Sequence, residues 1–263
     1  MSYTESIPGQ RLEDIPLMYR HMRTIRRAGQ EAVMRMALHY SCLPFHNQRH
    51  PKYVAEDTDR MTSHLDLSLL TQETGHGAAL IHDLVQLKPR GVMERESAEW
   101  FERRLLRRFP RPAIVAGALA ILGTEPTFDT NGKLVGQKAT ELEYPSYEAE
   151  QMALSVASAD VGGELFRPSG PYRGHMLYKE LQAVYDPAKA PSLEGFTKYQ
   201  LGQVELVSGY VFPHPEGEVV LGALRGVVLR YHEQLATALQ AGTVDTWKQV
   251  LDYDLAFQQE HSR

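Results

Sequence analysis

Apolar side chains recur every three or four residues over most of this chain, a spacing that predicts helices rather than strands. From about Pro16 to Tyr40, one face carries Met18, Met22, Ile25, Ala28, Ala32 and Met36. Pro44 in "SCLPFHN" stops that helix, and Asn47 is placed to cap the next. That helix runs through "YVAEDTDRMTSHL", with Pro51 tolerated in its first turn. "ETGHGAALIHDLVQL" predicts a strongly apolar helix and "MERESAEWFERRLLRRF" an amphipathic one. "PAIVAGALAILGT" opens on proline and closes at Gly123, as a short helix does. "SYEAEQMALSVASADVGGELF" is helical again, with Gly162-Gly163 as the simplest end signal.

Between these helices, "EPTFDTNGKLVGQKATELEYP" carries the turn chemistry of a loop with a brief hairpin at Asn131-Gly132. Beyond the Pro/Gly-rich "RPSGPYRG", helices are predicted over Met176–Tyr185, Phe196–Tyr210, Val219–Gln240 and Asp245–Gln258. The β-branched runs are short and do not alternate, so the pattern predicts an all-α fold. No shift in composition marks a domain boundary.

Composition narrows the function. The chain has 263 residues, 43% hydrophobic and 23% charged, with a net charge of -5. That balance gives no reason to expect a nucleic-acid partner, and the arginine clusters "RTIRRAG" and "ERRLLRRFPR" read as solvated helix faces. A single cysteine, Cys42, excludes a disulfide framework or a thiolate metal site. The opening "MSYTESIPGQRLEDIPLMYR" lacks the basic and apolar regions of a signal peptide, and no apolar run reaches the roughly 18 residues that span a bilayer. The expectation is a cytoplasmic protein with no membrane partner.

Chemistry concentrates where charge interrupts apolar helices. His82 and Asp83 lie within Ala, Leu, Ile and Val, and Asp160 ends a run of small apolar residues. Burying an unpaired carboxylate costs several kcal/mol. An exposed Asp160 at a helix C-terminus would oppose the helix dipole. One divalent cation bound by both carboxylates and two imidazoles resolves these burials together. The turn "LPFHNQRHPKYV" supplies His46 and His50, one helical turn apart and able to face one cavity.

The ordered set His50, His82-Asp83, Asp160 resembles the H…HD…D pattern of the HD superfamily of metal-dependent phosphohydrolases. "FHNQRHPKYV", "AALIHDLV" and "ASADVGG" are similar to the segments that carry those ligands, so the resemblance covers about Phe45 to Gly163. It implies an HD-type helical bundle over residues 1–263, with a core at about 16–163 and helices 175–258 packed on it. It also implies His50, His82, Asp83 and Asp160 as ligands of one divalent ion: Mn, Mg, Fe, Ni or Zn.

His46 matches the proton donor to the leaving oxygen in related enzymes, the other reading being a hydrogen-bonded support for the ligands. Glu96, in "ESA", either orients the attacking water or only caps or salt-bridges its helix. Lys88, Arg90 and Arg95 are candidates for binding phosphate oxygens, with Lys88 and Arg95 preferred. No histidine occurs between Asp83 and Asp160, a departure from two-metal relatives that points to one metal. The implied activity is hydrolysis of a small phosphate ester, such as a nucleotide phosphomonoester, by a chain able to form a homodimer. The alternatives are an HD-fold oxygenase or lyase, and a non-catalytic metal-containing domain that senses a nucleotide.

Overall fold

The computed structural model describes residues 15–89, 91–130, 134–185 and 190–262. Arg90, the Asn131-Gly132 turn and the first fourteen residues therefore lie outside the described residues. The rest is almost entirely helical, as the apolar spacing predicts: α1 (Ile15–His39), α2 (His50–His64), α3 (Leu69–Ile81), α4 (Val92–Leu105), α5 (Arg111–Gly123), α6 (Tyr147–Ser158), α7 (Gly170–Tyr185), α8 (Leu193–Gly209), α9 (Gly217–Leu221), α10 (Arg225–Gln240) and α11 (Trp247–His261). Among the described residues, no helix is long and apolar enough to cross a membrane.

Helix α3 is central: its residues 73–75 and 77–81 are buried, and it packs against α1, α2, α5 and α6. Ile25, Ala32 and Met36 of α1 join Val54 and Met61 of α2, Ala78 and Ile81 of α3, Ile121 of α5 and Met152 of α6 in one buried cluster. Small residues on α3, α5 and α6 keep the axes close, while Phe101 of α4 fills space beside α5. Downstream, α8 packs on α10, and α7 packs on α11 and α10.

Several boundaries differ from those expected, each for a local reason. Helix α3 stops at Ile81 instead of running through the His82-Asp83 pair. The Leu84 N–H bonds to Ile81 O at 2.9 Å, and the His82 ring takes up the Ala79 carbonyl. Asn47 does not cap α2: Arg49 holds the capping position. Asn47 instead folds the preceding turn, donating to Pro44 O (2.9 Å) and accepting from Arg49 N–H (2.9 Å).

Gly162-Gly163 do not end α6; residues 159–163 form a π-helical turn that continues the helix. The expected helix Val219–Gln240 breaks at a 3-10 turn over Gly222–Leu224, bridged by the Arg225 guanidinium on Glu218 (2.9 Å). The brief hairpin expected in the turn-rich segment is present as two antiparallel strands, β1 (Pro126–Phe128) and β2 (Leu134–Gln137).

A candidate metal centre at three helix ends

The start of α2, the end of α3 and the π-turn after α6 meet in one place, carrying His50, His82-Asp83 and Asp160 respectively. His50 Nε2 lies 3.2 Å from His82 Nε2, 3.3 Å from Asp83 Oδ2 and 3.0 Å from Asp160 Oδ1. His82 Nε2 lies 3.3 Å from each of the same two oxygens. Donor atoms about 2.0–2.2 Å from one ion, at tetrahedral or octahedral angles, sit about 2.8–3.6 Å apart. The ligand-capable atoms of His50, His82 and Asp83 all fall within 4.8 Å of one another, which makes the three a group able to hold a metal.

The remaining ring nitrogens sharpen this fit. His82 Nδ1–H donates to Ala79 O at 2.7 Å, and His50 Nδ1–H donates to Glu164 Oε1 at 3.1 Å. In the neutral tautomers both Nε2 atoms are then bare lone pairs, facing each other and two carboxylates. Only protons or a cation can reconcile such a set, and a carbonyl or carboxylate on the second nitrogen is the usual support of a metal-bound imidazole.

The electrostatics show what happens when protons do the work. Burial depresses His50, but hydrogen bonds to Asp160, Asp83 and Glu164 outweigh it and hold it well above its ordinary value. Burial likewise opposes the charged form of His82, yet Asp83 and Asp160 lift it to about 10. Both carboxylates are pushed up by burial and drawn down further by the His82 charge; Asp83 ends well below the usual carboxylate range.

Access is one-sided. The His50 and His82 side chains are 2% exposed, whereas those of Asp83 and Asp160 are 19% and 16% exposed and that of His46 is 26% exposed. The open face thus lies over the carboxylates and His46. There His46 Nε2 stands 3.9 Å from Asp83 Oδ2, and its Nδ1 is held by Glu180. The same Glu180 carboxylate accepts the backbone N–H groups of Phe45 (2.8 Å) and His46 (3.0 Å), locking the turn as well as the ring.

The π-turn places Asp160 by close approach. A Cβ on Gly163 would stand 2.4 Å from Asp57 Oδ2, and one on Gly162 would stand 2.1 Å from the Phe212 ring. Asp57 is buried and bound by Arg167 and Arg60. Such wide turns recur where a helix must aim a side chain at a functional site.

Other expected residues make no direct bond to this group. Glu96 pairs with Lys88 Nζ at 2.6 Å near the surface, and Arg95 is exposed on α4. Among the described residues, no hydrogen bond or ion pair joins these three to His46, His50, His82, Asp83 or Asp160. The α4 carboxylate that feels Asp83 is instead Glu94, raised by burial and then by that charge, with its Oε2 on Gly91 N–H (2.8 Å). Ser97 bonds the Val85 N–H at 3.1 Å and so braces the turn after Asp83.

Four supports have no counterpart in the sequence reading: Glu164, Arg173, Glu180 and Gln137. Arg173 donates to Glu164 (3.4 Å) and to Phe45 O (2.9 Å), and it covers the Phe45 ring at 4.5 Å. Gln137 donates to Asp160 Oδ2 at 3.1 Å. Glu164 was the findable one, since it follows Asp160 by four residues within the same helical run. Away from this centre, Asp254, 79 residues from His175, accepts from its Nδ1 (2.9 Å) in a buried pair.

No family model, curated protein or solved structure matches the chain. What the geometry defines by itself is an all-α protein with a buried His-His-Asp group able to coordinate a metal ion.

Proposed function

We propose that this chain is a metal-dependent phosphohydrolase of the HD superfamily, acting on a small phosphate ester such as a nucleotide phosphomonoester. The observation that carries the reading is that His50 Nε2 and His82 Nε2, 3.2 Å apart, each lie 3.0–3.3 Å from Asp83 Oδ2 and from Asp160 Oδ1, in the chain order His50, His82-Asp83, Asp160, with His50, His82 and Asp83 forming the tight group able to hold a metal. His50, His82, Asp83 and Asp160 would hold one divalent ion. Such an ion supplies Lewis acidity toward a phosphoryl oxygen and lowers the pKa of bound water.

The protein's own groups do the rest. Glu164 and the Ala79 carbonyl hold the two imidazoles with Nε2 inward. Glu180 fixes His46 with Nε2 toward the open face, where, when protonated, it donates to the departing alkoxide oxygen. Asp83, whose Oδ2 lies 3.3 Å from both His50 and His82 and 3.9 Å from His46 Nε2, would align the approach from that face. Lys88 and Arg95 are assigned to phosphate oxygens, Lys88 by exchanging Glu96 for the substrate, with Glu96 then free to orient water.

The test is phosphate release across a panel of phosphorylated metabolites, with Mn, Mg, Fe, Ni and Zn supplied in turn. Activity with at least one cation, absent in Asp83→Ala, is expected. Release that survives in Asp83→Ala would remove the centre from the reaction.

A further inference from the structure

Strand β2 ends in a residue for which a loop has no need. Val135 points to solvent, 63% exposed, but Gln137 two positions on is 1% exposed and its carboxamide reaches the centre. Its Nε2 lies 3.1 Å from Asp160 Oδ2 and 3.4 Å from Thr124 O. Both neighbours are acceptors, so the amide orientation is fixed by chemistry: reversing it would set oxygen against oxygen. The consequence is that Gln137 Oε1 is buried with no hydrogen-bond partner among the described residues. A buried, unpaired carbonyl oxygen costs about 1–3 kcal/mol, and proteins keep few of them.

The division of labour on Asp160 is equally specific. Its Oδ1 faces the two imidazoles at 3.0 and 3.3 Å, while its Oδ2 is taken by the Gln137 amide. A carboxylate with one oxygen occupied in this way offers one oxygen to an ion.

We infer that Gln137 is a positioning residue of the centre: its N–H holds Asp160 to a single inward oxygen, and its free Oε1 accepts a hydrogen bond from a water at the metal. The inference rests on the metal-centre reading above. The hairpin is then the element that delivers the carboxamide to the site. Glu125 and Lys138 tie its base together, through the Lys138 N–H on Glu125 O (2.9 Å) and an ion pair at 2.9 Å.

The experiment is calorimetric titration of Mn2+ into EDTA-stripped protein, with a thermal melt in EDTA, for wild type and Gln137→Met. Methionine keeps the shape and removes both polar atoms. The metal-free melting temperature should fall by only a few degrees, because the loss of the orphaned oxygen offsets part of what Asp160 Oδ2 and Thr124 O lose with their donor. Mn2+ affinity should fall about 10–100-fold, the range for groups that orient metal ligands. Affinity within twofold of wild type overturns the inference. So does a loss of affinity that merely tracks a loss of metal-free stability, since a structural residue behaves that way. Failure of wild-type protein to bind Mn2+, or any of the other cations, would sink the parent reading instead, which keeps the two outcomes distinct.

Discussion

Adding Mn2+ to the EDTA-stripped protein should expel protons, and the number follows from the geometry. Without an ion, His82 stands at about 10 and His50 well above its ordinary 6.5, so both rings carry protons at neutral pH. Their charge is held by Asp83 and Asp160 at 3.0–3.3 Å. An imidazole binds metal only through a bare nitrogen, and both Nδ1 atoms are committed to Ala79 O and Glu164. The proton must therefore leave Nε2. Two rings give at most two protons; repulsion between Nε2 atoms 3.2 Å apart trims that number, so the expectation is one to two per ion.

Linkage converts this into affinity: the apparent association constant should rise about 10–100-fold per pH unit from neutrality toward pH 9. Calorimetry at one pH in buffers of differing ionisation enthalpy gives the proton count as a slope. A slope of zero, or affinity flat with pH, would refute the proposed ligand set.

Three further outcomes follow from the same contacts. In EDTA, the His82 contribution to stability is complete below its unfolded value of 6.5 and lost as pH rises through about 10, while those of Asp83, Asp160 and Glu164 are present above about 4 and lost on acidification. Urea midpoints against pH should thus peak between about pH 4.5 and 6.5, and a midpoint constant from 6.5 to 10 would contradict the ion pairs. Glu180→Gln should lower kcat about 10–100-fold with Mn2+ affinity unchanged, and adding it to His46→Ala should cost nothing more; additive losses would separate Glu180 from His46. Gly163→Ala should lose about 1–3 kcal/mol in chemical denaturation, because its methyl group meets Asp57 Oδ2, which Arg167 and Arg60 hold in place.

What the sequence disclosed was set by how local each signal is. His82, Asp83 and Asp160 stood out because charge inside an apolar helix has to be answered nearby. Helix α3 was read too long because Leu84 and Val85 extend the apolar pattern past the true end at Ile81; the carbonyl taken up by His82 has no trace in hydrophobicity. Asn47 was read as a cap from its type, but its amide found the Pro44 carbonyl first. Glu180 and Arg173 reach the Phe45-His46 turn across 128 to 135 residues, and nothing in their own neighbourhoods announces it. Gln137 was hidden for another reason. Turn-rich composition marks a loop, while a four-residue strand whose same-face residues Val135 and Gln137 are exposed and buried respectively carries no periodic signal.

The supports of His46 and His50 come from chain that is made late. Glu164 and Glu180 follow their partners by 114 to 135 positions, which at bacterial or eukaryotic elongation rates is on the order of ten seconds of synthesis. During that interval the nascent N-terminal helices display two histidines with no carboxylate to orient them. On the proposed reading, an ion would be loaded only once the chain through Glu180 has been made, and chains that end before Glu164 should fail to retain it.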